Sequence, residues 1–473
     1  MFSSFSALSG RGRAAAARLA AATMVSGLTV TGALAAAGTA VADEAVQQQG
    51  GATATIGGLK TYGAAVVHGD EGDQQVSAGL FEMSVDNGGT LQTYGVDLRN
   101  PTQRDAKYQE TAWSGTSLGG NKDAGRIRWI LQNSYPQVND LAALAGRAGA
   151  AGLTEQDAAA GTQVAIWRYS DGADVDAVDP RAEKLADYLE KSARSLTEPE
   201  ASLALDPPAV SGHPGERLGP VTVHTGADSV TVIPPADAAT SGVRVVDQDG
   251  KAVTTVADGG QVYFEVPGKA LDGSAVLSVQ ASTSVPVGRA FASDSRSQTQ
   301  ILAGSSESTV SATATANWAV AGPVPALSAQ RNCADNGVDI TAANKGDEAF
   351  TFRLMGFEHT IPAGGSRTVT VPLQEDQPYD FTILGPNGFQ QRFAGVLDCE
   401  TQDSAAGAAV QTLSDPSPAL AGGAPATGVN LAETGSSSAT PMIAGMAIVL
   451  LVIGGGVVLL VGKKEQQGAG ARK

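Results

Sequence analysis

Residues 154–167 read Thr154-Glu155-Gln156-Asp157-Ala158-Ala159-Ala160-Gly161-Thr162-Gln163-Val164-Ala165-Ile166-Trp167. This stretch decides the fold of the first domain. Thr154 is a good N-cap and Asp157 sits three residues on, a weaker version of the capping box, so a helix is expected to start here. On such a helix Gln163 and Trp167 lie four residues apart and face the same way.

Helical spacing extends to both sides. Upstream, Ile127, Ile130 and Leu131 share one face of a helix that Pro136 stops, and a second helix is expected over Val138 to about Gly149, with Leu141 and Leu144 buried. Downstream, Asp179-Pro180 gives an N-cap followed by proline at the first helical position. The stripe Ala182, Leu185, Ala186, Leu189 and Ala193 is amphipathic. Before Trp113 the pattern is different. Runs such as Ala64–His68, Gly79–Met83 and Leu91–Leu98 alternate apolar and polar residues between glycine-rich turns, the signature of short strands. Residues 43–205 are therefore expected to form an α+β domain, strands first and helices after.

The segment Thr162-Gln163-Val164-Ala165-Ile166-Trp167 resembles the TQxA motif of the thioester domains found on Gram-positive surface proteins. Thr93-Tyr94-Gly95-Val96-Asp97-Leu98 resembles that family's other motif, in which a cysteine lies between an aromatic and an aliphatic residue. The resemblance implies a head domain in which the cysteine thiol and the motif glutamine condense into an internal thioester, a stored acyl group that a target amine can attack. Here the cysteine position is Gly95, which has no sulfur, while the chemistry needs a thiolate. Gln163 is then expected to remain an ordinary amide, leaving Gly95, Gln163 and Trp167 as a remnant of the motif.

The two ends of the chain carry targeting patterns. Arg11, Arg13 and Arg18 precede an alanine-rich apolar run, and Ala40-Val41-Ala42 supplies the small-x-small pattern of signal peptidase cleavage. Residues 1–42 are expected to be a removed signal peptide. At the other end, Met442 to Val461 is free of charge and long enough to span about 30 Å of hydrocarbon as a helix. Lys463 and Lys464 follow, favouring a cytoplasmic tail over 462–473. The preceding Leu431-Ala432-Glu433-Thr434-Gly435 makes this end resemble a sortase sorting signal. That resemblance implies cleavage between Thr434 and Gly435 and transfer to peptidoglycan, with sortase and peptidoglycan as partners and a membrane-spanning precursor before sorting.

Between head and anchor the pattern is all-β. Runs such as Val221–Val223, Val230–Ile233, Val243–Val246, Val262–Val266 and Ala275–Val279 recur without helices, and Gln248-Asp249-Gly250 is a turn, so residues 206–325 are expected to be a β-sandwich. Residues 326–400 are expected to be a smaller sandwich holding both cysteines. Cys333 and Cys399 form an even pair in an exported chain and are expected to be a disulfide, stabilising by roughly 4 kcal/mol on a chain-entropy estimate. Residues 401–430 are rich in Ala, Gly, Ser, Thr and Pro, the composition of a disordered linker. The architecture expected is multidomain: an α+β thioester-like head, two β-sandwiches, a linker and one C-terminal transmembrane helix.

The chemistry expected beyond this is sparse. Net charge is −17, which argues against nucleic acid and anionic lipid surfaces. The four histidines, His68, His213, His224 and His359, have no partner at metal-ligand spacing. Asp171, Asp174, Asp176 and Asp179 do not match an EF-hand loop and read as a solvated acidic loop ending in a helix cap, so neither metal nor cofactor is expected. No nucleophile elbow, zinc-binding His-Glu-x-x-His or phosphate loop occurs, so no enzyme is expected. The function that remains is non-covalent adhesion to an unknown surface or host ligand, with a purely structural cell-wall or coat role as the alternative.

Overall fold

The computed structural model describes residues 50–70 and 72–399. The chain divides into two compact units, Met1–Ser414 and Asp415–Lys473, and the second lies outside the described residues. So do the expected signal peptide, linker, sortase motif, transmembrane helix and tail. Among the described residues no helix is long and apolar enough to cross a membrane.

The described part is multidomain and mostly β. It opens with strands β1 (Thr53–Val67), β2 (Gln74–Val85), β3 (Thr90–Gly95) and β4 (Lys107–Thr111). Helices α1 (Ala124–Asn133), α2 (Leu141–Ala148) and α3 (Glu155–Ser170) follow, then the short strand β5 (Val175–Ala177) and helix α4 (Pro180–Ser192). All four expected helices are present, and α2 starts three residues late because Asp140 caps it, accepting from Ala143 N. The capping box of α3 is complete: Thr154 Oγ1 accepts from Asp157 N and Asp157 returns the bond to Thr154 N. Asp179 accepts from Arg181 N at the start of α4. Gly161 lets α3 and α4 approach closely, because a Cβ there would stand 2.4 Å from the carbonyl oxygen of Ala182.

The chain then builds a sandwich from β6 (Leu203–Asp206), β7 (Ala209–Gly212), β8 (Arg217–Thr225), β9 (Val230–Ile233), a one-turn helix α5 (Ala238–Ser241), β10 (Arg244–Val246), β11 (Thr255–Val256), β12 (Gln261–Glu265) and β13 (Gly273–Ser284). Instead of finishing it, the chain returns to the head. β14 (Ala290–Ser293) and β15 (Gln300–Ser305) enter the head sheet, whose strand order is β2-β3-β15-β14-β4-β1-β5. Only then does β16 (Glu307–Trp318) close the sandwich, pairing with β13 along its whole length. The sandwich sheets are β10-β12-β8-β6 and β11-β9-β13-β16-β7.

The boundaries expected at 205 and 206 therefore need correction. The head sheet is not closed by residues 43–205, and 290–305 belong to it. The physical reason is burial on both sides. Alternation along each central strand sends Tyr94, Ala290 and Ile301 into the core beneath the helices. Leu91, Phe291 and Leu302 go into a second core shared with the sandwich. A sheet buried on both faces needs apolar strands at its centre, and β14 and β15 supply them.

The C-terminal module holds β17 (Pro325–Asn332), β18 (Gly337–Asn344), β19 (Phe350–Leu354), β20 (Phe357–Ile361), β21 (Ser366–Pro372), β22 (Pro378–Leu384) and β23 (Gln390–Val396). They form the sheet β17-β18-β21 and the hairpins β19-β20 and β22-β23 around one core. Cys333 and Cys399 are bonded with their Cα atoms 5.2 Å apart, tying the end of the first strand to the residues just after the last.

Candidate functional site

The site forms where β3 loses a neighbour. β2 pairs with β3 only from Thr90 to Thr93. On the other side Val96 N donates to Thr299 O, so by antiparallel alternation the main-chain groups of Gly95 point away from β15. Gln163, carried on the central turns of α3, takes the missing strand's place. Its Oε1 accepts from Gly95 N at 3.2 Å and its Nε2 donates to Gly95 O at 2.8 Å. The glutamine side chain is fully buried, so both bonds offset polar groups that water cannot reach. The two motif residues far apart in sequence are thus in direct contact.

Position 95 has no room for a side chain. A Cβ built on Gly95 would lie 2.1 Å from Gln298 Oε1 and 2.4 Å from its Cδ. Gln298 is buried and held on several sides: its Nε2 donates to Asp97 O, and its Oε1 accepts from Thr102 Oγ1 at 3.0 Å and Gln300 Nε2 at 3.3 Å. Gln300 Oε1 in turn accepts from Thr93 Oγ1 at 2.9 Å. The space facing Gly95 is occupied by a carboxamide that belongs to a buried polar network.

Asp97, from the same motif, is buried against this network. It accepts from Ser117 Oγ at 2.8 Å and Thr299 N at 3.1 Å. Burial outweighs these bonds and pushes its carboxyl up to about 6. Asp171, at the end of α3, accepts from Leu98 N at 2.9 Å and from Ser170 Oγ. Burial first, and the neighbouring Asp97 second, push it up to about 8. The expectation that Asp171 lies in a solvated acidic loop is therefore incorrect, because its carboxyl pins the chain that leaves β3. Asp174 and Asp176 are exposed, and Asp179 caps α4 as expected. His68 is not isolated either: Nδ1 lies 2.8 Å from Asp73 and Nε2 3.4 Å from Asp176.

Trp167 sits in the core beneath the helices, 2% exposed, and its indole N–H has no hydrogen-bond partner among the described residues. Gly95, Gln163 and Trp167 are thus part of one buried region, and the Gly95–Gln163 pair forms its polar centre. Sequence reading missed Gln298 and Gln300. Gln298 and Gln300 come from the segment assigned to the neighbouring sandwich, and an isolated glutamine carries no motif. The sortase and signal peptidase residues, Leu431, Ala432, Thr434, Gly435, Ala40 and Ala42, lie outside the described residues.

A buried ion pair locks the head to the start of the sandwich. Glu110 on β4 accepts from Arg289 Nε at 2.9 Å, Ser202 N at 2.9 Å and Ala52 N at 3.1 Å. Arg289 also donates to Glu198 Oε1 at 2.8 Å and to Pro199 O at 3.1 Å. One arginine thus holds the returning segment, the linker and the head sheet together.

Residues 92–195 match the thioester domain family, and residues 319–396 match the C-terminal domain of bacterial phospholipase C. No curated protein matches the chain. Among solved structures, the Bacillus anthracis TIE protein is 15% identical with a TM-score of 0.26, over 73% of this chain and 64% of that one. The present chain thus spans less than two thirds of that relative. The thioester domain of the Enterococcus faecium TIE86 protein is 14% identical with a TM-score of 0.28, over 57% of this chain and 97% of that one. The chain therefore contains a thioester-domain-like region within a multidomain, mostly β protein.

Proposed function

We propose that this chain is a secreted, sortase-anchored cell-wall surface protein whose thioester-like head engages a surface or host ligand without forming a covalent bond to it. The observation that carries the reading is the pairing of Gln163 with Gly95. A thioester needs a sulfur at the residue facing the motif glutamine, and Gly95 offers only main-chain N–H and C=O, both occupied by the Gln163 amide. Both cysteines are committed to a disulfide in the C-terminal module. The family match over 92–195 supports assigning Gly95 to the cysteine position.

Anchoring rests on Leu431-Ala432-Glu433-Thr434-Gly435 with the apolar run behind it. Peptidoglycan would be joined to the carbonyl of Thr434, so the wall end would be covalent and the ligand end reversible. Intact mass tests the head. The exported chain should show the mass of its processed sequence with one disulfide, without the loss of one ammonia that accompanies thioester formation, and should not take up methylamine. An ammonia deficit that is replaced by the addition of one methylamine would sink the non-covalent reading. Replacing Thr434 with alanine should leave the chain in the membrane fraction. Its continued appearance in purified wall would refute sortase anchoring.

A further inference from the structure

We propose that Glu375, Asp376 and Asp398 form a calcium-class cation site that clasps the end of the C-terminal module. Two segments build it: the turn between β21 and β22, and the residues just after β23. The turn is held to the strand end by Asp376 N donating to Leu397 O at 2.9 Å and Leu397 N donating to Gln377 O at 3.2 Å. Asp376 sits in the turn with φ +58. Glu375 is oriented by the backbone, because its Oε1 accepts from Cys399 N at 2.8 Å. A carboxylate oxygen from each of the three residues lies within 4.8 Å of the other two.

Asp398 is the observation that points to a ligand. It is 7% exposed, its carboxylate faces Glu375 and Asp376, and it has no hydrogen-bond partner among the described residues. Burying a carboxylate among like charges without a partner is costly, by several kcal/mol per ion in general. The nearby guanidinium of Arg331 relieves it only in part, since burial and the carboxylates of Asp97, Glu375 and Asp376 outweigh it and its Nη1 donates to Val396 O at 3.4 Å. A hard divalent cation would. Calcium takes six to eight oxygens at about 2.3–2.6 Å in flexible geometry, which suits oxygens spaced like these, with water completing the shell. The donor set holds no sulfur or imidazole, which disfavours zinc and copper.

The test is calorimetric and thermal titration of the full chain, stripped with chelator, using Ca2+ alone as the probe and Mg2+ in parallel. The expected result is saturable Ca2+ binding with a Kd on the order of 10⁻⁴–10⁻³ M, the range of extracellular calcium modules, and a higher unfolding temperature. Asp398→Asn and Asp376→Asn should each weaken binding about tenfold or more, asparagine being well tolerated at the positive φ of 376. In chelator, Asp398→Asn should unfold at or above the wild-type temperature, because the uncompensated charge is gone. Absence of saturable binding in the wild type would overturn the site, as would equal affinity in both variants. So would a loss of stability in Asp398→Asn in chelator, which would show that the carboxylate already has its partner.

Discussion

The carboxamide of Gln163 lies edge-on to Gly95 and satisfies both of its main-chain polar groups, with contacts of 3.2 and 2.8 Å. The glutamine therefore acts as a one-residue substitute for the strand that β2 would have provided. Its role in this chain is structural, which makes its removal costly whatever chemistry the site performs.

Gln163→Ala should destabilise the head by about 2–5 kcal/mol, because it leaves two buried main-chain groups unpaired and opens a cavity. Denaturant unfolding followed by tryptophan fluorescence measures this. A loss under about 0.5 kcal/mol, the size of an ordinary surface change, would show that water or a rearranged strand replaces the amide.

Gly95→Cys alone should not produce the ammonia loss of a thioester, since the new Cβ meets Gln298. Pairing it with Gln298→Ala removes that obstacle and should restore the mass deficit. If Gly95→Cys by itself loses ammonia and reacts with methylamine, the Gln298 carboxamide yields more easily than its three buried partners suggest.

Arg289→Met should cost about 3–5 kcal/mol, because it leaves Glu110 buried without its cation. The double variant Arg289→Met with Glu110→Leu should recover much of that loss, as buried pairs replaced by apolar residues commonly do. Thermal unfolding of both variants distinguishes a structural lock from a dispensable contact.

The pH dependence follows from Asp171, whose native value of about 8 stands above the 3.8 of an unperturbed aspartate. Between roughly pH 4 and 8 the folded chain keeps a proton that the unfolded chain has released. Stability should therefore fall as pH rises through that window and level off above it. Asp171→Asn keeps an acceptor for Leu98 N and removes the titration. It should flatten this slope and raise stability at pH 8 by about one to a few kcal/mol. An unchanged slope would show that the carboxyl is solvated. Asp97, raised to about 6, keeps part of the slope in place.

Cys333→Ser with Cys399→Ser should lower the stability of the C-terminal module by about 2–4 kcal/mol, the usual range for such a bond. The head should be unaffected, because the bond lies outside its cores. Loss of the head's unfolding transition at the same time would show that the two regions unfold together.

Several features were legible along the sequence because their causes are local. Thr154 and Asp157 cap α3 through atoms three residues apart, and Asp179-Pro180 starts α4 by the same short-range logic. The Gln163 motif and the cysteine pair could likewise be read in order. By itself the sequence determined that strands precede helices in the first region, that β patterns follow, and that residues 162–167 carry a thioester-domain-like motif.

What only the tertiary structure decided depends on partners that no local pattern announces. Strand pairing carries no address in sequence, so residues 290–305 fell within the bounds expected for the sandwich although β14 and β15 complete the head sheet. Polarity reads as exposure, so Asp171 was expected in a solvated loop, and nothing in the sequence singled out Gln298 or Asp398. Gln298 is buried with its amide bonded to Asp97 O, Asp171 is half-buried and accepts from Leu98 N, and Asp398 is buried where folding brings Glu375 and Asp376 close. Gly95 marks the boundary between the two kinds of knowledge. That residue 95 is a glycine was plain from the sequence, while the amide beside it and the carboxamide filling its side-chain space appeared only once α3 and the returning strand were in place.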